Sequence, residues 1–160
     1  MRFGPKALAH RLGAIVVMAL ALGPAAMAVA PSAQASTTTD RANYEARLTY
    51  LINATRASAG RVRLTPTYCP LWFSAHWAHY LASTGYFYHE SMYPILRVCR
   101  ASRVAENLAR GNASPDAIMA AWMASPGHRA NILDGRLTRI GVTAIYAGGQ
   151  WTIATDFARY

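Results

Sequence analysis

Beyond residue 39 the chain alternates between stretches with helical spacing and stretches with strand spacing. A stripe at intervals of three and four predicts a first helix over residues 40–59, and Gly60 is a natural stop. That stripe consists of Tyr44, Leu48, Leu51, Ile52 and Thr55. Pro70 and Gly85 bracket a second helix, because proline is accepted at the start of a helix and glycine is favoured at its end. This second helix is apolar on two faces, which predicts a central position.

The sequence Ser114-Pro115-Asp116 predicts the start of a third helix, because it combines a capping hydroxyl, an early proline and an acid in the first turn. This helix ends before Ser125. The segment Ser125-Pro126-Gly127 is predicted to form a turn, which would place His128 at the first position after a bend. Ile132 follows as an apolar anchor.

The C-terminal part is predicted to form two strands, residues 140–146 and 150–157, joined by a connection over residues 147–149 that contains two glycines. The second strand alternates, with Thr152, Ala154 and Asp156 on one face. Residues 104–109 form a short apolar segment with Glu106 in its middle. A buried acid there needs a partner. The basic stretch around Cys99 is predicted to be a loop.

The N-terminal residues predict export. Arg2, Lys6 and Arg11 precede an apolar run over residues 12–22, and Ala33-Gln34-Ala35 closes it. This layout is typical of a secretory signal peptide with an A-x-A cleavage site. We therefore expect residues 1–35 to be removed after Ala35. Residues 36–160 would remain as one domain that is secreted and not integral to the membrane.

Composition sharpens this prediction of an exported domain. Residues 36–160 contain thirteen bases and seven acids, a net charge of +6. Outside a cell such a charge favours anionic wall polymers or lipid headgroups as partners, and nucleic acid is not an expected partner.

Cys69 and Cys99 are the only cysteines. A pair in an oxidising space is expected to form a disulfide bond, and the C-x-x-C spacing of a redox motif is absent.

Three ionisable residues, His89, Glu106 and His128, each lie beside apolar residues that would hold them in place. Two imidazoles and a carboxylate can bind a divalent metal, exchange protons across a cleft or hydrogen-bond one another. The sequence alone leaves these alternatives open.

The order and spacing of several motifs across residues 40–158 resemble the CAP superfamily of cysteine-rich secretory, antigen 5 and pathogenesis-related proteins, and in particular its short secreted bacterial branch. The motifs are Asn53-x-x-Arg56, Trp77-Ala78-x-x-Leu81-Ala82, His89, Glu106-Asn107-Leu108-Ala109, Trp122-Met123-x-Ser125-Pro126-Gly127-His128-Arg129-x-Asn131-Ile132-Leu133, Ile140-Gly141-Val142 and Trp151 to Phe157. The resemblance implies an α+β fold, a three-layer α-β-α sandwich with a central antiparallel sheet. It also implies a cleft lined by two histidines and two acids.

Residue by residue, His89 matches the first histidine of that cleft, Glu106 the acid of the Glu-Asn motif and His128 the second histidine. Asn107, Arg129 and Asn131 are expected to support the cleft. The second acid has no match between Ala120 and Gly127, so the sequence predicts at most a triad. Two substitutes can be named, Glu90 and Asp116, although Asp116 also fits a helix cap. Zinc or another divalent metal could bind the triad with an open position.

Three functions fit these residues. The first is a non-enzymatic extracellular binding domain whose cleft takes a divalent metal, a lipid such as a sterol, a cell-wall polymer or another small ligand. The second is a peptidase-like hydrolase that uses His128 and Glu106 as base and orienting acid, or as ligands of a metal that activates water. Ser91 and Ser125 lack the context of a nucleophile elbow, which makes an enzyme the weaker interpretation. The third is a structural or interaction module with a vestigial cleft.

Overall fold

The computed structural model describes residues 33–160, which form five helices and four strands. Residues 1–32 of the predicted signal peptide lie outside the described residues. In chain order the elements are α1 (Ala33–Ser58), β1 (Thr65–Pro66), α2 (Tyr68–Thr84), α3 (Met92–Val98), β2 (Arg103–Gly111), α4 (Pro115–Ala124), α5 (Pro126–Leu133), β3 (Arg139–Ala147) and β4 (Gln150–Arg159). Among these helices none combines the length and apolar character needed to cross a bilayer.

The four strands form one sheet in the order β1-β3-β4-β2. β4 pairs antiparallel with β2 on one side and with β3 on the other. The two-residue strand β1 pairs parallel with β3, which the predicted all-antiparallel sheet did not include. β2 is therefore an edge strand of the sheet, and its partner β4 is central.

Helices cover both faces of the sheet, which confirms the predicted α-β-α sandwich. α2 packs on one face, where Ala78 and Leu81 meet Leu108 and Ala154. α1, α4 and α5 form the layer on the other face. The larger core lies there, and its fully buried members include Leu48, Ile52, Ile132, Leu137, Ile140, Ala144, Ile153 and Phe157.

The glycines end elements as the sequence predicted. Gly85 follows α2 with φ 78°, and its N–H donates to the carbonyl of Leu81. Gly148 and Gly149 have φ 57° and 79° in the β3–β4 hairpin. Two residues with positive φ are what a two-residue hairpin turn with the native twist requires. The connection is one residue shorter than predicted, because Ala147 still pairs with Gln150.

Two segments differ from the prediction. The basic stretch around Cys99, predicted to be a loop, begins with Arg97 inside the helix α3. Pro94 lies in the first turn of α3, where its backbone nitrogen would have no intrahelical acceptor in any case. Ile95 anchors α3 as a buried side chain. Pro126 opens the helix α5 instead of a turn, and His128 therefore lies inside a helix. Proline at the first position is compatible with a helix, and the short α5 makes use of that.

The predicted disulfide bond is confirmed. Cys69 and Cys99 are bonded, with their Cα atoms 5.7 Å apart and a sequence separation of 30. Cys69 lies in the first turn of α2 and Cys99 directly follows α3. The bond therefore closes a covalent ring that contains α2, α3 and the loop between them.

A buried guanidinium joins α1 to the segments around α5 and β3. The Arg56 side chain is fully buried and donates to four backbone carbonyls, which we call the Arg56 node. The acceptors and distances are Val62 at 2.9 Å, Ile132 at 2.7 Å, Asp134 at 2.9 Å and Leu137 at 3.0 Å. Ile132 and Leu137 are buried, so their carbonyls need a hydrogen-bond partner in the interior.

Candidate functional site

The site begins with a pair of acids on neighbouring strands. Glu106 on β2 lies directly opposite Asp156 on β4, so both side chains point to the same face of the sheet. Asp156 is also opposite Gly141 on β3, and a Cβ added at Gly141 would come within 2.2 Å of the backbone nitrogen of Leu71 in α2. The two acids therefore lie on the face that α2 covers. Glu106 is 5% exposed and Asp156 is 0% exposed.

The loop between α2 and α3 brings two more ionisable residues to this pair. His89 Nδ1 lies 2.6 Å from Glu106 Oε1, and the backbone N–H of Glu90 donates to the same oxygen over 3.2 Å. The His89 side chain is 62% exposed, whereas that of Glu106 is 2% exposed. His89 thus connects a buried carboxylate to the solvent.

Hydrogen bonds to both neighbouring elements hold this loop in place. The indole of Trp77 in α2 donates to the carbonyl of Tyr88 over 3.1 Å. From β2, the guanidinium of Arg110 donates to the carbonyls of Gly85 and Tyr86 over 2.8 Å and 2.7 Å. The backbone that carries His89 is consequently tied to α2 and to the strand of Glu106.

Glu90, Glu106 and Asp156 form a close group that we call the acid cluster. One carboxylate oxygen of each lies within 4.8 Å of the others. Glu90 is half-buried, and the other two are buried. Four buried oxygens of the cluster accept no hydrogen bond from a protein donor, namely Glu90 Oε1, Glu106 Oε2 and both Oδ atoms of Asp156. The carboxyls of Glu90 and Asp156 face each other within hydrogen-bond reach, but both are acceptors when ionised. Ionised carboxylates only accept hydrogen bonds, so a proton or a cation is needed to join them.

Burial controls the protonation of the acid cluster. It raises the pKa of Asp156 well above the usual range, and the negative charges of Glu90 and Glu106 add to the rise. Burial and the charge of Glu106 raise the pKa of Glu90 to about 7. Burial also raises the pKa of Glu106, against the lowering effect of the hydrogen bond and charge of His89. The cluster therefore favours bound protons or another positive charge at neutral pH.

His128 lies on α5, across β2 from the acid cluster, and is half-buried. Its backbone carbonyl accepts a hydrogen bond from Asn107 Nδ2 over 3.2 Å. Its ring centroid is 6.2 Å from that of Trp122. Burial lowers the pKa of His128, and the charge of His89 lowers it further.

The three predicted supporting residues take different positions. Asn131 Nδ2 lies 2.9 Å from both the Glu106 carbonyl and Asn107 Oδ1, so it links α5 to the strand that carries the acid. Asn107 is fully buried and continues this link to His128. Arg129 is exposed and lines a shallow groove of about 360 Å³ along α4 and α5.

Of the two substitutes named for the second acid, the structure places Glu90 in the acid cluster and Asp116 elsewhere. Asp116 is exposed and forms an ion pair with Arg47 at 2.6 Å. Sequence reasoning did not name Asp156 as a site residue, although the structure places it beside Glu106. Strand alternation had already placed Asp156 on the face of Thr152 and Ala154, but its register against Glu106 was not available from the pattern.

As placed within residues 33–160, His89, Glu106 and His128 do not form one group of ligand atoms within 4.8 Å of one another. Within residues 33–160, the acid cluster is the group of three metal-ligating side chains whose ligand atoms lie within 4.8 Å of one another. Neither imidazole belongs to that group. A four-coordinate zinc site needs its ligand atoms closer together than this, at about 2.0–2.3 Å from a common centre.

The α-β-α sandwich with a polar site at its edge strand is the α+β architecture that the resemblance implied. A sequence model of the Cysteine-rich secretory protein family, CAP, matches residues 49–157. The chain belongs to the CAP family.

Two comparisons extend this result. The chain is 47% identical over 47 residues to the uncharacterized protein YkwD of Bacillus subtilis, which covers 29% of this chain and 18% of YkwD. Its fold is similar to an extracellular protein of Bacillus anthracis that contains an SCP domain, with a TM-score of 0.72 and 19% identity over 82% of this chain and 45% of that one. The chain thus spans less than half of either relative.

A third relative is similar over most of its own length. An outer surface protein of Borrelia burgdorferi has a TM-score of 0.65 and 18% identity, and the match covers 70% of this chain and 89% of that one. At these identities the two solved structures establish the fold alone.

Proposed function

We propose that this chain is an exported, non-enzymatic CAP binding domain, and that His89, Glu106 and His128 mark its ligand-contacting site. Three observations support export. They are the predicted leader over residues 1–35, the disulfide bond between Cys69 and Cys99, and the extracellular or surface location stated for two proteins of similar fold. The positive charge of residues 36–160 supports an anionic or amphipathic partner in the cell envelope.

The observation that carries the binding site is the contact between His89 and Glu106. A carboxylate on a buried strand position is joined at 2.6 Å to an imidazole that is 62% exposed. A ligand that reaches His89 from solvent would therefore interact with the buried charge as well. Such pairing of a fixed buried group with an exposed donor is typical of sites that orient a small ligand.

The experiment titrates the purified, disulfide-bonded protein with three probes: a fluorescent sterol, a fluorescent fatty acid and ZnCl₂. The variants His89→Ala and His128→Ala are compared with the unchanged protein, and Arg47→Ala provides an exposed control. Saturable binding of at least one probe, weakened about tenfold or more by either histidine variant, is the expected result. Binding by none of the probes, or binding that both variants leave intact, would contradict the proposal.

One observation favours a hydrolase as the second candidate. An imidazole oriented by a buried carboxylate is the arrangement of a general base with its orienting acid. A peptide-hydrolysis assay with the same variants separates the two functions. Hydrolysis lost in His89→Ala would support the enzyme, whereas hydrolysis that survives in both histidine variants would belong to another site or a contaminant.

A further inference from the structure

We infer that the acid cluster of Glu90, Glu106 and Asp156 binds one hard divalent cation, of the Ca²⁺ or Mn²⁺ class, through carboxylate oxygens. The inference rests on the proposed binding function and names an ion as a ligand of that site. It differs from the set that the family resemblance implied, because Asp156 was not among the expected site residues, Glu90 was named only as a substitute for the second acid, and neither histidine is a ligand.

The spacing of the oxygens fits such an ion. Ca²⁺ takes oxygen ligands at about 2.3–2.6 Å, so two ligands on opposite sides of one ion are separated by at most about 4.6–5.2 Å. The ligand atoms of the acid cluster all lie within 4.8 Å of one another. Three oxygens with such separations lie within about 2.8 Å of a common point, so small side-chain adjustments would let a single ion contact all three carboxylates.

Asp156 supplies an independent indication of a ligand. It is 0% exposed, and both of its carboxylate oxygens lack a hydrogen-bond partner. A buried carboxylate with two unpartnered oxygens is costly, and native structures satisfy such groups with a pairing charge, a hydrogen bond or a metal. The side chain shares its sheet face with Glu106, so its oxygens lie toward the other acids.

The charges of the site also favour a cation. Three carboxylates meet there, and His89 is the basic side chain whose charge and hydrogen bond act on Glu106. The imidazole contacts Glu106 Oε1 and leaves Oε2 unpartnered. We assign His89 the role of a positioning residue, because an imidazole hydrogen-bonded to a ligating carboxylate fixes the orientation of that ligand. Glu90, which is half-buried, is the most exposed of the three ligands.

The donor set determines the class of ion. Carboxylate oxygens suit Ca²⁺, Mg²⁺ and Mn²⁺, whereas zinc sites draw on imidazole and thiolate. The competing occupant is a proton shared between Glu90 and Asp156, which would satisfy the same oxygens without any metal. The two occupants are distinguished by measurement of the bound ion.

The experiment is calorimetric titration of the EDTA-treated, disulfide-bonded protein with CaCl₂, MnCl₂ and ZnCl₂ at pH 7.5. We expect one Ca²⁺ or Mn²⁺ ion per chain, bound more tightly than zinc. Asp156→Asn and Glu90→Gln keep the side-chain shape but remove one charge each, and each should weaken binding at least about tenfold. Asp116→Asn, an exposed acid paired with Arg47, is the matched control and should bind as the unchanged protein does.

Unfolding temperatures measured with and without CaCl₂ give a second readout. The ion should raise the unfolding temperature of the unchanged protein and of Asp116→Asn, but not that of Asp156→Asn. Glu90→Gln keeps the inference testable if Asp156→Asn does not fold, because residue 90 lies in a loop. Absence of Ca²⁺ and Mn²⁺ binding at millimolar concentration, or equal affinity in both cluster variants, would overturn the inference.

The outcome is separable from that of the proposed function. Probe binding that depends on His128 but not on Asp156 would retain the binding domain and remove the cation site. Ca²⁺ or Mn²⁺ binding that depends on Asp156 and survives His128→Ala would retain the cation site and exclude a role for that histidine in holding the ion.

Discussion

The Arg56 node and the acid cluster are both groups of buried ionisable side chains. The hydrogen bonds of the node are all made, whereas several oxygens of the acid cluster have no donor. In the node, one guanidinium donates to four backbone carbonyls at 2.7–3.0 Å. In the acid cluster, four oxygens of three carboxylates have no partner. Burial lowers the pKa of Arg56, yet the group remains a cation at physiological pH. For the acids, burial favours the neutral form instead.

This difference indicates that the Arg56 node stabilises the fold and that the acid cluster is the place where a ligand can bind. The node is complete within the protein, so it holds α1 against the α5–β3 region and needs nothing from outside. The acid cluster is incomplete, and a proton or a cation must complete it. A buried polar group that the fold leaves unsatisfied is a stronger indication of a ligand than one that the fold satisfies fully.

The largest expected effect comes from removal of the guanidinium. Arg56→Met keeps much of the aliphatic volume but removes the guanidinium donor from the buried carbonyls of Ile132 and Leu137, so the free energy of unfolding should fall by about 3–5 kcal/mol. Urea unfolding measures the change. Arg47→Met, which removes an exposed ion pair, should cost less than about 1 kcal/mol. Similar losses in the two variants would mean that the node is not a stabilising element.

Removal of the disulfide bond should have the next largest effect. Replacement of Cys69 and Cys99 by serine opens a ring of about thirty residues and should cost about 3–4 kcal/mol on the chain-entropy model. Because the ring contains Glu90 but not Arg56, we expect faster amide exchange around residues 85–99 than around the node. Hydrogen exchange followed by mass spectrometry tests this, and uniform acceleration over the whole chain would contradict it.

The smallest expected effect is a dependence of stability on pH from the acid cluster. Unfolded Glu90 loses its proton near 4.5, whereas folded Glu90 holds it to about pH 7. Between these values the folded state binds more protons, so its stability falls as the pH rises. After allowance for the solvent exposure of Glu90, the loss in metal-free protein should be of order 1–2 kcal/mol.

The measurement is the difference in urea midpoint between the unchanged protein and Glu90→Gln from pH 4.5 to 8, in EDTA. The comparison with Glu90→Gln removes the contribution of His128, whose lowered pKa acts in the opposite direction. A difference that stays constant over this range would show that Glu90 titrates normally.

Much of the fold follows from local patterns. Gly85 and the proline near the start of α2 predicted that helix to within two residues at its start, and the paired glycines predicted the β3–β4 hairpin. These positions are readable because turn and cap geometry depends on the residue itself. α3 escaped prediction because seven residues that include a proline carry too short a pattern, and Ile95 alone anchors them in the core.

The site was less predictable because it depends on register and on long-range contacts. Glu106 could be identified as an acid that needs a partner. Its neighbour Asp156 is 50 positions away in sequence, and only the pairing of β2 with β4 brings the two together. The acceptors of Arg56 are backbone carbonyls. Every residue has a carbonyl, so the sequence cannot show which ones accept from Arg56.

The tight approach of α2 to Gly141 limits how the chain can vary. A hydrogen atom is the only side chain that fits there, since any larger group would enter the backbone at Pro70 and Leu71. Gly141 is the strand neighbour of Asp156. A relative with a larger residue at this position must hold its second helix farther from the sheet. The gap between the second helix and the sheet would then be wider at the equivalent of Asp156, and the two proteins would not be expected to select the same ion.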